Sequence, residues 1–303
     1  MIDTIKIKNV NLNSIIELDK FDSKFLLADD KAIDWGTIKT SKTTYNLTSK
    51  IGVGLTNKAA SDGRTISIMG WLINDSKGTI KDKKKILNSF FNPFDDLVIY
   101  ADKYKIEGYA EQVIKYSTSN SENNNIICKF LVSIFCPNPL FTLAESIQAM
   151  NFDVYSKLFL FPLIWEQDKP IVMGLRQGLD DFYVENSGTL QTGCTITIVT
   201  TKEITGLSIK NATTNQEFLL KSNLVIPANK VIKICTTPNK RGIWYGDSPD
   251  ELQKSFEILD LDSDWIQLVV GRNELKFSSE LGSITTLKVK IEIEPLFYAM
   301  EEQ

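Results

Sequence analysis

Histidine is absent from all 303 residues. Its absence removes Ser-His-Asp and Cys-His mechanisms, the commonest catalytic zinc ligand, and the one side chain that ordinarily titrates near neutral pH. Cysteine is scarce: Cys128, Cys136, Cys194 and Cys235 form no CxxC pair and no zinc spacing. Cys194 and Cys235 stand in alternating apolar runs (CTITIV, VIKIC), where a thiol acts as a small hydrophobe. No apolar run approaches the roughly 18 residues of a membrane helix. The stretch 157–165 is among the greasiest and is far too short. The formal net charge of −4 is not the basic excess of a dedicated nucleic-acid binder. Neither GxxxxGK[ST] nor a GxGxxG after a strand occurs. The opening residues, MIDTIKIKNV, alternate apolar and polar and lack the apolar core of a signal peptide, so they read as a strand of a chain made in the cytoplasm.

Carboxylate-only chemistry is what these absences leave. The doublets Asp29-Asp30, Asp95-Asp96 and Asp180-Asp181 each lie beside a turn or strand end, where Asp competes for backbone donors, and read as solvated turns. Asp260, Asp262 and Asp264 open like a calcium loop, but Trp265 stands where an EF-hand needs Gly and Gly271 where it needs Glu. Asn211-Ala212-Thr213 is a glycosylation sequon without a secretory route. The expectation is a chain without enzymatic activity, cofactor or metal.

The residues present describe a folded, mainly β protein. Hydrophobic residues make up 43%, enough for real cores, and charged residues 24%; this length suits one or two domains. The most informative stretch is 128–141, CKFLVSIFCPNPLF. Its Val, Ile and Phe suit a strand covered on both faces, and Pro137-Asn138-Pro139 ends it by removing donors and fixing φ. It looks like the last strand of a first domain.

Before it, residues 2–10, 44–47 and 64–72 alternate. In RTISIMGWL, Ile66, Ile68 and Gly70 share a face. Gly52, Gly54 and Gly63 punctuate the loop 51–63, which reads as mobile. One helix is expected over 79–91, with Thr79 and Asp82 as a capping box and Ile86, Leu87, Phe90 and Phe91 as its packed face. Lys81, Lys83, Lys84 and Lys85 cover much of the rest, either as a solvated face or as a basic patch for an acidic neighbouring subunit. A hairpin around Asp102-Lys103 and a strand entered from the polar tip 117–125 complete a compact α+β unit.

The stretch 142–169 reads as a connector with helical content over 144–150. From Phe182 onward the period returns to two, with Asn, Gly and Pro turns between runs, the signature of an antiparallel sandwich. The expected division is 1–141, 142–169 and 170–303.

The order of these elements resembles the distal tail proteins of phages: an N-terminal strand, Arg64-x-Ile66-x-Ile68-x-Gly70, a lysine-rich helix, a hairpin, and a long strand closed by Pro137-Asn138-Pro139 and Phe141. In the second half, Leu268-x-x-Gly271-x-Asn273-x-Leu275 resembles the family's Leu-x-x-Gly-x-Asn-x-Leu turn, with Val270 where proline is common. The resemblance implies an N-terminal α+β barrel or sandwich-like ring domain followed by a galectin-like antiparallel β-sandwich. It further implies a hexameric ring at the virion tail tip or baseplate, between the tail tube and the hub. Receptor-binding or baseplate arm proteins would attach to it, and DNA would pass through the lumen without specific binding. Exposed strand edges offer one route for neighbouring subunits to pair. The loop 51–63, with Gly52 and Gly54, and the helix lysines are the candidate subunit contacts. Two other readings stand beside the structural one. A carbohydrate-binding adhesin would use Trp244, Tyr245 and Trp265 as stacking faces, and a polysaccharide-cleaving tail enzyme would use paired carboxylates.

Overall fold

The computed structural model describes residues 3–21, 24–28, 32–38, 40–41, 44–46, 53–55, 60–144, 148–152, 155–157, 174–176, 181–238, 240–280 and 287–300. It is mainly β with a single α-helix among these residues. The described chain divides into two compact units, 1–145 with 297–303, and 146–296. No helix among the described residues is long and apolar enough to cross a membrane.

The first unit is a closed barrel of seven strands. Arg64–Ile73 pairs with Phe25–Leu27, which runs parallel to Ser14–Asp19; Thr4–Asn9, Asp96–Ala101, Tyr104–Ala110 and Ile127–Cys136 follow in turn. Ile127–Cys136 then returns to Arg64–Ile73 in a register ten residues long, from Ile127↔Ile73 to Cys136↔Arg64. Alternation dictates this architecture. Ile5, Ile7, Ile66, Ile68, Ile99 and Ile134 point inward and are fully or almost fully buried, and the residues between them face outward. Gly70 shares the inner face because its cross-strand partner Phe130 lies over it: a Cβ there would meet the Phe130 ring at 2.4 Å and the Leu26 carbonyl oxygen at 2.5 Å.

Two expectations change here. Ile127–Cys136 is covered mainly on its inner face, with its outward residues half-buried apart from buried Ser133, because a barrel strand has one interior side. Closure also pairs the long strands of this unit on both sides, so among the described residues its free edges are limited to short strands such as Ile33–Asp34 and Lys115–Tyr116.

The helix spans Ile80–Phe90. Thr79 is its N-cap: its hydroxyl oxygen accepts from the Asp82 N–H at 3.3 Å and its O–H donates to the Asp82 carboxylate at 2.6 Å. The residues 297–300 belong to this unit, not to the sandwich. Phe141 and Phe297 exchange two backbone hydrogen bonds at 3.0 and 2.9 Å, the Phe297 ring meets Tyr104 edge-on at 5.2 Å, and Arg64 donates to the Tyr298 carbonyl at 2.6 Å.

The second unit holds a six-stranded antiparallel sheet: Gln148–Phe152, Leu287–Ile293, Cys194–Thr200, Val231–Cys235, Gly242–Gly246 and Gln253–Lys254. A four-stranded sheet contains Asp181–Asn186, Gly271–Ser278, Ser208–Asn211 and Gln216–Leu219. One core takes side chains from both, including Ile196, Ile234 and Ile291 from the first and Val184, Phe218 and Leu275 from the second, which makes the unit a β-sandwich. Of the expected helical content over 144–150, residues 145–147 lie outside the described residues, and over 148–150 it is overturned. Gln148–Phe152 is a strand paired with Leu287–Ile293, and that pairing overrides local helix preference.

Candidate functional site

The helix lysines do not form one patch. Lys83 sits three residues after Ile80 and four before Leu87, on the inward stripe, and is wholly buried. Its Nζ donates to the Ile73 carbonyl and to Asp75 Oδ1, both at 2.8 Å. That hydrogen bond holds the Asp75 carboxyl below its usual range, with the Lys77 backbone N–H and the charges of both lysines adding to it. Lys84 is half-buried, 4.8 Å from the Tyr116 ring centroid and hydrogen-bonded to Asn123. Lys81 and Lys85 alone are exposed. Lys81 and Lys84 border an open cleft at the helix N-terminus with Asn74, Thr79 and Asn123. Nearby, Glu122 is also held below its usual range, first by Ser117 and then by Lys129. Gly52 lies outside the described residues; Gly54 is in the strand Val53–Leu55, paired with Tyr45.

The Asp doublets have structural tasks where they are described. Asp95 accepts from the side-chain amides of Asn9 at 2.9 Å and Asn11 at 3.0 Å, and Asn9 also donates to the Phe90 carbonyl at 2.7 Å, tying the 10–13 turn to the helix end. Asp29, Asp30 and Asp180 lie outside the described residues. Asp260 accepts from the Asp262 N–H at 3.0 Å, closing a local turn. Among the described residues there is no cluster of three or more acidic, Cys or His groups placed to hold a metal.

All four cysteines are buried thiols. Burial pushes Cys136 and Cys194 up to about 12, which leaves them inert.

The three aromatic candidates in the sandwich are not brought together. Trp244 and Tyr245 are adjacent on Gly242–Gly246 and therefore face opposite sides. Tyr245 packs on the core, and Trp244 stands on the outer face, where its ring lies over Gly242. Trp265 packs edge-on against Phe218 at 5.7 Å and Phe256 at 6.5 Å, with the Arg241 guanidinium 5.7 Å from its ring.

What the sandwich does assemble is a buried asparagine network around 266–271. Asn186 donates to the Leu268 carbonyl at 3.1 Å, Asn211 to the Gln267 carbonyl at 2.9 Å, and Asn273 to the Val269 and Gly271 carbonyls. All three side chains are fully buried, so the sequon residue Asn211 is a core group. Of the three, the sequence marks Asn273 through the Gly-x-Asn spacing and Asn211 only as a sequon.

A family model described as the siphovirus-type tail component, C-terminal domain, matches residues 187–291, within the second unit. No curated protein matches the sequence. Among solved structures, the Dit protein of SPP1, described as a paradigm of the hub adsorption apparatus in phages infecting Gram-positive hosts, shares 14% identity. It gives a TM-score of 0.64 over 97% of this chain and 99% of that one. Two structures of the phage P2 baseplate in its activated conformation, with calcium and with strontium, share 10% and 12% identity. They cover 96% and 97% of this chain and 98% of theirs, at TM-scores of 0.43 and 0.40, too distant to argue from. By sequence over residues 187–291, and by fold over nearly its whole length, the chain is similar to the distal tail proteins of siphovirus-type phage tails.

Proposed function

We propose that this chain is a structural subunit of the distal tail of a phage or phage-derived particle, where it forms a hexameric ring between tail tube and hub. The observation that carries the reading is the coincidence of two independent matches: the tail-component model on residues 187–291 and the fold of a distal tail protein across 97% of the chain. In this reading the N-terminal barrel forms the ring, the sandwich domains carry attachment points for receptor-binding components, and the chain catalyses nothing. A closed barrel suits the task, since a ring wall exposed to passing DNA benefits from a rigid unit with few free strand edges. Acidic residues facing the lumen would repel DNA and keep it from sticking. With the barrel ladders internally paired, subunit contacts fall to side-chain faces and loops. The candidates are exposed Lys81 and Lys85, half-buried Lys84 at the cleft, and the segment around Gly52 and Gly54, with Lys83 supporting the helix from inside.

The reading is tested on tail particles from the producing host, labelled with antibodies against the purified chain and viewed by electron microscopy. Label confined to the distal end of the tail is expected. Label along the tube or on the head, or none on intact particles, contradicts the assignment.

A further inference from the structure

The outward face of the six-stranded sheet carries a row of residues in direct cross-strand register: Lys290, Thr197, Lys233, Trp244 and Lys254. Their strand neighbours, including Ile196, Ile198, Ile232, Ile234 and Ile243, are core residues at 0% exposure, so every member of the row points away from the core. The lysines occupy alternate strands and therefore recur at about 10 Å, two inter-strand steps. On either side of the row the same face carries Lys288 and Glu292, half-buried Thr195 and Val199, and buried Val231, Cys235 and Gly242.

The charge of this face opposes that of the chain. Its strands contribute Lys233, Lys254, Lys288 and Lys290 against Glu292, and Glu292 is already bonded to Lys290. Glu294, at the end of its strand, lies 4.0 Å from Lys240. Lys254 sits 5.0 Å from the Phe256 ring, and neither it nor Lys233 has a carboxylate partner among the described residues. The whole chain is nonetheless at −4.

Trp244, between Lys233 and Lys254 in the row, is laid flat. A Cβ on Gly242 would stand 2.6 Å from its Cη2, so the indole occupies the space that a side chain there would fill. The missing side chain lets the ring lie against the sheet, an arrangement that fixes it in advance and leaves it half-buried.

We propose that this face binds an anionic polysaccharide, with Trp244 stacked on a sugar ring and Lys233 and Lys254 pairing with the acidic groups to either side. A linear polymer crossing the strands meets a cation, a flat ring and a second cation in sequence. Single-stranded nucleic acid fits less well, because it is held by aromatic platforms for successive bases in a basic groove, whereas the described residues of this flat face offer one ring. The proposal goes beyond the tail assignment and does not rest on it.

The test is calorimetric titration of the full-length chain with polygalacturonate, with neutral dextran and with a twenty-residue oligo(dT), at low and at physiological salt. Binding to polygalacturonate that weakens with salt, and none to dextran, is expected. Trp244→Ala, and separately Lys233→Gln with Lys254→Gln, should each weaken it by about tenfold or more, the scale of one lost stack or of two charges. Both variants should keep the parental unfolding midpoint; if Trp244→Ala fails to fold, Trp244→Phe replaces it and the lysine pair still decides. The proposal is overturned by no binding to polygalacturonate, by equal binding to dextran, by tighter binding to oligo(dT), or by a lysine-pair variant that binds like the parent.

Discussion

Asn273 holds Val269 by both ends of one side-chain amide. Its Oδ1 accepts from the Val269 N–H at 2.9 Å, and its Nδ2 donates to the Val269 carbonyl at 2.8 Å. The same Nδ2 reaches the Gly271 carbonyl at 2.9 Å, and Gly271 turns the chain at φ +85. Nothing lies within 4 Å of a Cβ placed on Gly271, so the need for glycine there is one of handedness, not of space. The Gly-x-Asn spacing is the sequence trace of this turn: one residue bends the backbone, and the other satisfies the groups that the bend takes out of the ladder.

Asn273→Ala should therefore cost about 2–4 kcal/mol, because it strands both polar groups of Val269 in a part-buried turn. Gly271→Ala should cost about 1–2 kcal/mol from the left-handed conformation alone. Urea unfolding of the full chain, followed by tryptophan fluorescence, measures both. An Asn273→Ala variant within about 0.5 kcal/mol of the parent would show that water replaces the amide.

Gly70→Ala should destabilise the barrel by about 3 kcal/mol or more, since one of the two clashes is with backbone, the Leu26 carbonyl at 2.5 Å, and cannot be relieved by a rotamer change. Adding Phe130→Leu removes the other clash and should restore only part of the loss. Full restoration would place the entire constraint on the Phe130 ring.

The Asp75–Lys83 pair should make stability depend on acid pH. Asp75 has a folded-state pKa lowered from 3.8, so it binds protons more weakly folded than unfolded. Its contribution is fully present above the unfolded value and is lost as pH falls through the folded one. Asp75→Asn should narrow the gap in stability between about pH 6 and the acid range below pH 4. Denaturant midpoints across that range test this, and identical pH profiles for the two proteins would contradict the pairing.

Phe297→Ala should cost about 3–4 kcal/mol in the first unit, as expected for a large core aromatic, even though the residue lies at the far end of the sequence. Hydrogen exchange should show the protection loss in Tyr104–Ala110 and at Phe141, the groups that Phe297 touches. Loss confined to residues 287–296 would instead assign Phe297 to the sandwich.

Much of this fold could be read from alternation, because one-sided burial is written directly into period two. Ile66, Ile68 and Gly70 were visible as one face, and Thr79 with Asp82 marked the helix start. Lys83 was not visible as a core residue, since a lysine reads as polar wherever it stands, although its spacing from Ile80 and Leu87 put it on the inward stripe. The strand at 148–152 was hidden by residues that favour helix, and only its distant partner 287–293 decides it. The return of Phe297 to the barrel has no local signal at all. Trp244 and Tyr245 are separable from the sequence alone, because neighbours on a strand face opposite sides.

Negative-stain electron microscopy of the concentrated full-length chain is the decisive measurement for ring formation. Closed rings with an open centre and six-fold symmetry, increasing with concentration, are expected. Monomers at every concentration, or open filaments in place of closed rings, would contradict it.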